Sequence, residues 1–137
     1  MREILFRGKR LELGDWVEGT LILYPDLDCY IATPSGYNPN ILVKVCVAPC
    51  TVGQCTGLKD KNGKRIFEGD VCRFEYTGEN RGVEGVAAVT FESGKFGVEW
   101  GWHKEFVCLD GFANTTIEII GNIYDNPELL EGGYSNG

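Results

Sequence analysis

No apolar run in this chain goes far before a glycine, a proline or an Asn–Gly pair stops it. Residues 14–24, GDWVEGTLILY, set the pattern. Trp16, Glu18, Thr20 and Ile22 alternate with Val17, Leu21 and Leu23, and a period of two is that of a strand with one face inside. Pro25, Asp26 and Asp28 end the run, and Cys29–Thr33 resumes it. PSGYNPN (34–40) reads as a loop, and ILVKVCV (41–47) is the most strand-like run in the chain before Pro49. Residues 2–7, 51–58, 64–67, 69–76, 83–92, 95–100, 105–110 and 115–124 read as further strands, with a bulge at Gly121. Asn62–Gly63 and Ser93–Gly94 mark hairpin turns, the first expected as type I′, which needs positive φ at both central residues. Asp125 or Asn126, ahead of Pro127 and Glu128, can cap one helical turn. With 19 Gly in 137 residues and no long 3.6-period segment, the expectation is a mainly β, β-rich α+β protein.

One phrase occurs twice. GKRLELGD fills residues 8–15 and GKRIFEGD fills 63–70. Each copy describes a strand end, a tight bend and a strand start. Gly14 and Gly69 are expected to supply a backbone conformation that a Cβ would penalise. Asp15 and Asp70 are expected to accept hydrogen bonds from turn N–H groups. The plainer reading is two independent turns built from common turn residues. The phrases suggest a small N-terminal β unit (1–50), offering an apolar strand edge, and an SH3-like bent β-barrel with a short C-terminal helical turn (51–137).

Charge narrows the partners. The net charge is −7. Residues 1–57 carry 5 Lys/Arg against 6 Asp/Glu, and residues 58–137 carry 8 against 14. An acidic surface repels phosphate backbones, so nucleic acid is an unfavoured partner. No run approaches the ~18 apolar residues of a membrane span, and no apolar stretch follows the charged start MREILFRGKR as in a signal peptide. No membrane association is expected, and the six cysteines are expected to stay reduced. Cys46, Cys50 and Cys55 have spacings unlike paired zinc loops and read as buried or half-buried strand residues. No metal and no cofactor is expected.

Catalytic patterns are absent. His103 is the one histidine, and it stands beside Lys104 in a loop-like stretch. Glu68 and Asp70 flank Gly69 with nothing to separate their environments, as general acid/base work requires. A non-enzymatic protein is expected. Two surfaces remain as partner-binding candidates. Lys59, Lys61, Lys64 and Arg65 surround the turn at Asn62 and Gly63, although edge-protecting lysines would look the same. Trp100 and Trp102, with Phe96 and Phe106 near them, could form an interface or simply a core. Stacking platforms for single-stranded nucleic acid would interleave Lys and Arg with the rings. Here Glu92, Glu99 and Glu105 are interleaved instead.

Three segments carry a resemblance. MREILFRGKRLELGDWVEG (1–19), TVGQCTGLKDKNGKRIFEGDV (51–71) and IEIIGNIYDNPELL (117–130) together resemble the YopX family of phage and prophage proteins, in the family's order. Residues 24–47 and 77–115 match less closely. The family has no established biochemical function and no catalytic residues to carry over. The resemblance implies a phage or prophage origin, a cytoplasmic setting in a bacterial host, a β-rich fold with a barrel-like C-terminal part, and self-association. The function expected is that of an accessory module that binds protein: itself as a homo-oligomer, and a host or phage protein. The alternative is a nucleic-acid-associated regulator using the Lys59–Arg65 hairpin.

Overall fold

The computed structural model describes residues 4–26, 28–76, 83–100, 105–112 and 116–131. Twelve strands, two 3-10 turns and one four-residue helix make up its regular structure among these residues. The expectation of a mostly β chain built from short strands holds. The chain forms two compact units, Met1–Gly57 and Leu58–Gly137. The sequence division fell at residues 50 and 51. The structure draws the line later because Gly53 and Gln54 pair with Arg7 and Phe6.

The first unit is one antiparallel sheet. Its strands are β1 (Phe6–Lys9), β2 (Trp16–Leu23), β3 (Cys29–Pro34), β4 (Leu42–Val47) and the start of β5 (Gly53–Lys59), in the order β4-β3-β2-β1-β5. Directly opposed residues share a face. The register therefore puts Phe6, Val17, Leu21, Cys29, Ile31, Val45 and Val47 on one side. Cys29, Ile31 and Val47 are buried there, with Phe6, Val17, Leu21 and Val52 packed against them. Gly8 lies against Val47, and a Cβ at position 8 would come within 2.8 Å of its side chain. An isolated bridge joins Arg10 to Val47, and the Ala48 N–H donates to the Lys9 carbonyl at 2.8 Å. The sheet thus curls back on itself at one end of β4. At the other end β4 remains an edge among the described residues.

The second unit holds the end of β5, then β6 (Arg65–Phe67), β7 (Asp70–Tyr76), β8 (Val83–Ala88), β9 (Thr90–Glu92), β10 (Lys95–Trp100), β11 (Glu105–Cys108), β12 (Thr116–Asn122) and α1 (Glu128–Glu131). The expected closed SH3-like barrel is not what forms. Two three-stranded sheets appear, β12-β7-β8 and β11-β10-β9. The run 83–92, which reads as one strand, is divided at Val89. The Val89 N–H donates to the Asp70 carbonyl at 2.8 Å, and its own carbonyl accepts from the Gly69 N–H at 2.9 Å. The chain leaves one sheet there and enters the other. The expected bulge is present as a register shift between Ile119 and Gly121.

The core of this unit lies between side chains of both sheets. Ile66, Cys72, Phe74, Ala87, Val89, Val98, Leu109 and Phe112 are buried together. Phe74 meets Phe112 with ring centroids 4.6 Å apart and the edge of Trp100 at 5.6 Å. Trp100 reaches this position because Gly85 leaves room: a Cβ at Gly85 would stand 2.5 Å from the indole ring. Gly85→Ala is therefore expected to cost about 1–3 kcal/mol through overpacking. The measurement is urea unfolding followed by tryptophan fluorescence. An unchanged midpoint would mean that Trp100 does not depend on that space.

Candidate functional site

The basic hairpin is built around a carboxylate. Asp60 is 6% exposed. One oxygen accepts the Asn62 and Lys64 N–H groups, each at 2.9 Å, and the other accepts the Ile119 N–H at 3.1 Å. The Asp60 N–H donates to the Lys64 carbonyl, its own carbonyl accepts from Gly63, and the Lys61 N–H reaches the Ile117 carbonyl. One side chain thus closes the turn and ties it to β12. Burial acts to raise the Asp60 carboxyl pKa. The three N–H donors and the Lys64 charge outweigh it, so the group sits below its ordinary range.

This geometry corrects the expected turn type. Gly63 takes a φ of 81°, whereas Asn62 is not among the residues with positive φ. The loop is a three-residue hairpin with glycine at the left-handed position. The condition for type I′ is met at the other hairpin, where Ser93 and Gly94 have φ of 52° and 78°. Asp60 itself was missed by sequence reasoning. An Asp two residues before an Asn–Gly pair is the signal that could have found it.

The other turn residues differ from one another. Gly14 and Gly69 have φ of 73° and 94°. Asp70 is 2% exposed and accepts the Phe67 N–H at 2.7 Å, a backbone turn contact. Asp15 does something else: its carboxylate takes the Arg10 guanidinium, with Arg10 Nε donating at 2.6 Å. That hydrogen bond holds the Asp15 carboxyl below and the Arg10 guanidinium above their usual ranges. The two copies of the repeated phrase therefore bend in similar places by different contacts.

Of the partner-binding candidates, Lys59, Lys61, Lys64 and Arg65 are all exposed. Lys61 lies 3.7 Å from Glu118, which also accepts from Arg73 at 2.9 Å, and Lys64 neighbours the Asp60 carboxylate. Lys61 and Lys64 thus already have carboxylates beside them. Trp100 is half-buried against Phe74 and Phe112 and belongs to the core wall. It shares a face of β10 with the buried Val98, two residues before it and opposite Val107, and that face turns its ring inward. Trp102 and His103 lie outside the described residues.

The first unit offers a surface of a different kind. Along the outer side of β4, from Leu42 to Val45, no strand is paired among the described residues. Ile41, Leu42 and Val43 are 55%, 62% and 41% exposed. Lys44, in the middle, does not project beyond the edge. Its ammonium donates to the Tyr24 hydroxyl at 2.8 Å and lies 4.5 Å from the centroid of the Tyr30 ring. The Tyr24 hydrogen bond raises the Lys44 pKa above its usual value.

Among the described residues no group of three or more His, Cys, Asp or Glu could hold a metal ion, and no helix is long and apolar enough to cross a membrane. None of the six cysteines forms a disulfide. Cys29 and Cys72 are buried and Cys46, Cys55 and Cys108 half-buried, but Cys50 is exposed in the 3-10 turn Pro49–Thr51, where Pro49 has already ended the strand.

A sequence model of the YopX protein family matches residues 5–131. Two crystal structures are similar along nearly all of the chain. The yopX protein from Bacillus subtilis is 22% identical with a TM-score of 0.62, covering 95% of this chain and 99% of that one. A protein from Enterococcus faecalis is 23% identical with a TM-score of 0.60 and the same coverage of both chains. At these identities the likeness concerns the fold. No curated protein matches.

Removing the Asp60 carboxylate tests the hairpin. Asp60→Ala is expected to cost about 2–3 kcal/mol at neutral pH, because buried N–H groups lose a charged acceptor. A carboxyl whose folded pKa lies below its unfolded value of ~3.9 stabilises the fold above that pH. The contribution is lost as pH falls through the folded value. The gap between wild type and variant should therefore narrow below about pH 4. Urea midpoints measured from pH 7 down to pH 3 check it, and a constant gap would contradict the assignment.

Proposed function

The chain belongs to the YopX family, and from that premise we propose that it is a phage or prophage accessory protein that acts by binding protein, a second copy of itself first, and not by turnover. The observation that carries this reading is the open edge of β4. An edge strand presents a row of unpaired N–H and C=O groups, ready to pair with another chain. Here that row is flanked by Ile41, Leu42 and Val43, all more than 40% exposed. Proteins commonly guard such an edge with an outward lysine. Lys44 is instead held against Tyr24 and Tyr30. Two copies of β4, antiparallel about a twofold axis, would extend one sheet into the other through the same patch on each, the usual form of a homodimer. A host or phage strand could use the same edge by strand addition.

The alternative is a nucleic-acid regulator acting through the Lys59–Arg65 hairpin. It has less support, because Lys61 and Lys64 stand beside Glu118 and Asp60. Their charge is partly spent within the fold.

Sedimentation equilibrium at micromolar concentration decides the first reading. A mass of twice the 15.2 kDa chain is expected, with Leu42→Pro shifting it to the single-chain value. Alternation along β4 turns the Leu42 N–H outward, since Ile41 beside it bonds to Ser35 on the β3 side, so proline there removes an edge N–H and leaves the β3–β4 ladder intact. A wild type that stays at 15.2 kDa rejects self-association through β4.

A further inference from the structure

The face of the first-unit sheet opposite its apolar core has a composition that the chain as a whole does not. The register places Arg7 and Lys9 of β1, Trp16, Glu18, Thr20 and Ile22 of β2, Tyr30 and Ala32 of β3, and Leu42 and Lys44 of β4 on this one side. Aromatic rings and cations are interleaved on it. The Arg7 guanidinium lies 4.7 Å and the Lys9 ammonium 5.9 Å from the centroid of the Trp16 ring. At the far end the Lys44 ammonium lies 4.9 Å and 4.5 Å from the Tyr24 and Tyr30 rings, which meet edge to face at 5.4 Å. Glu18 is the one carboxylate in the register of this face, opposite Arg7. Glu18, Thr20, Leu42 and Lys44 are exposed, and Arg7, Lys9, Trp16 and Tyr30 are half-buried.

We infer that this face, through Trp16, Tyr24, Tyr30, Arg7, Lys9 and Lys44, binds single-stranded nucleic acid. This is the arrangement that sequence reasoning required of a stacking platform and did not find around Trp100. Bases stack on flat side chains while cations beside them meet the phosphates. Each cation now resting over a ring can move to a phosphate oxygen as a base takes its place on the ring. Six residues of β2 separate the Trp16 position from that of Ile22, which pairs with Tyr30. At ~3.3 Å per strand residue this is about 20 Å, matching the short end of the ~4–16 nucleotides held by small β folds. A duplex keeps its bases stacked and cannot use the rings. An acidic peptide would need the cations but not the rings between them. On the face itself three cations, Arg7, Lys9 and Lys44, stand against the single carboxylate of Glu18. The inference goes beyond the strand-edge reading and stands whether or not β4 pairs with a second copy.

The test is fluorescence anisotropy of the full chain with a labelled oligothymidylate of about a dozen nucleotides, at low and rising salt. Binding is expected with a log–log salt slope of about −2, from three phosphate contacts at ~0.7 each. A duplex of equal length should bind at least about ten-fold more weakly. Trp16→Leu should lose about ten-fold or more, since one stacked base is removed. Lys9→Gln/Lys44→Gln, which keeps most of each side chain's length, should reduce the slope to about −0.7. No binding at low salt overturns the inference, as does equal binding of the duplex. So does competition by polyglutamate as strong as by the unlabelled oligonucleotide, which would point to an acidic protein partner. Should Trp16→Leu fail to fold by circular dichroism, the double variant decides, and an unchanged slope in it rejects the site.

Discussion

Two carboxylates buried in the second unit hold its bends in place. A charged group withdrawn from water is costly unless its oxygens are fully occupied. Asp60 meets that requirement with three backbone N–H groups, one of them on Ile119. Asp70 accepts from Phe67. Its own carbonyl and the adjacent Gly69 hold Val89 on both sides, and the Gly69 carbonyl takes the Ile123 N–H. The hairpin at 60–64, the corner at 67–70, the junction at Val89 and the end of β12 are thus fixed by contacts between backbone and these two short segments. The aromatic core of Phe74, Trp100 and Phe112 can pack in one way because the strands carrying it are already positioned.

The first unit is held differently. Its interior is a small aliphatic cluster around Ile31 and Val47, and its other side is cationic and aromatic. The same period of two that buries Val17 and Leu21 turns Trp16, Glu18 and Thr20 outward, so a single strand serves both purposes. A net charge summed over the chain conceals this. The carboxylates are concentrated in one unit, while the charged side chains that β1 and β4 turn outward are those of Arg7, Lys9 and Lys44.

The strands were legible in the sequence because alternation and turn residues are local signals. Trp16–Leu23, Cys29–Pro34 and Lys95–Trp100 fall within a residue or so of where the pattern puts them. What could not be read depended on distant partners. The break at Val89 comes from Gly69 and Asp70, twenty residues away along the chain. The turn at Asn62 is not type I′ because Asp60 captures two of its N–H groups. Asp15 and Asp70 look alike in the repeated phrase, yet one finds a guanidinium at the surface and the other a buried amide. Trp100 could be a core or a surface residue until Gly85 opposite it was seen to make space. Of the candidate binding groups, the basic hairpin was visible as a local cluster. The outer face of the first sheet was not, because its members are spread over four strands and meet only through register.

The curl of the first sheet makes β4 unequal along its length. At Val47 the strand is bridged on both sides, to Cys29 and to Arg10. At Leu42 it is bridged on one side among the described residues, to Pro34. Unzipping must therefore begin at Leu42 and stall at Val47, like a flap hinged where the sheet closes. Amide hydrogens along β4 should accordingly exchange in a gradient that slows toward Val47, and an incoming strand would meet first the part of the edge that yields most readily.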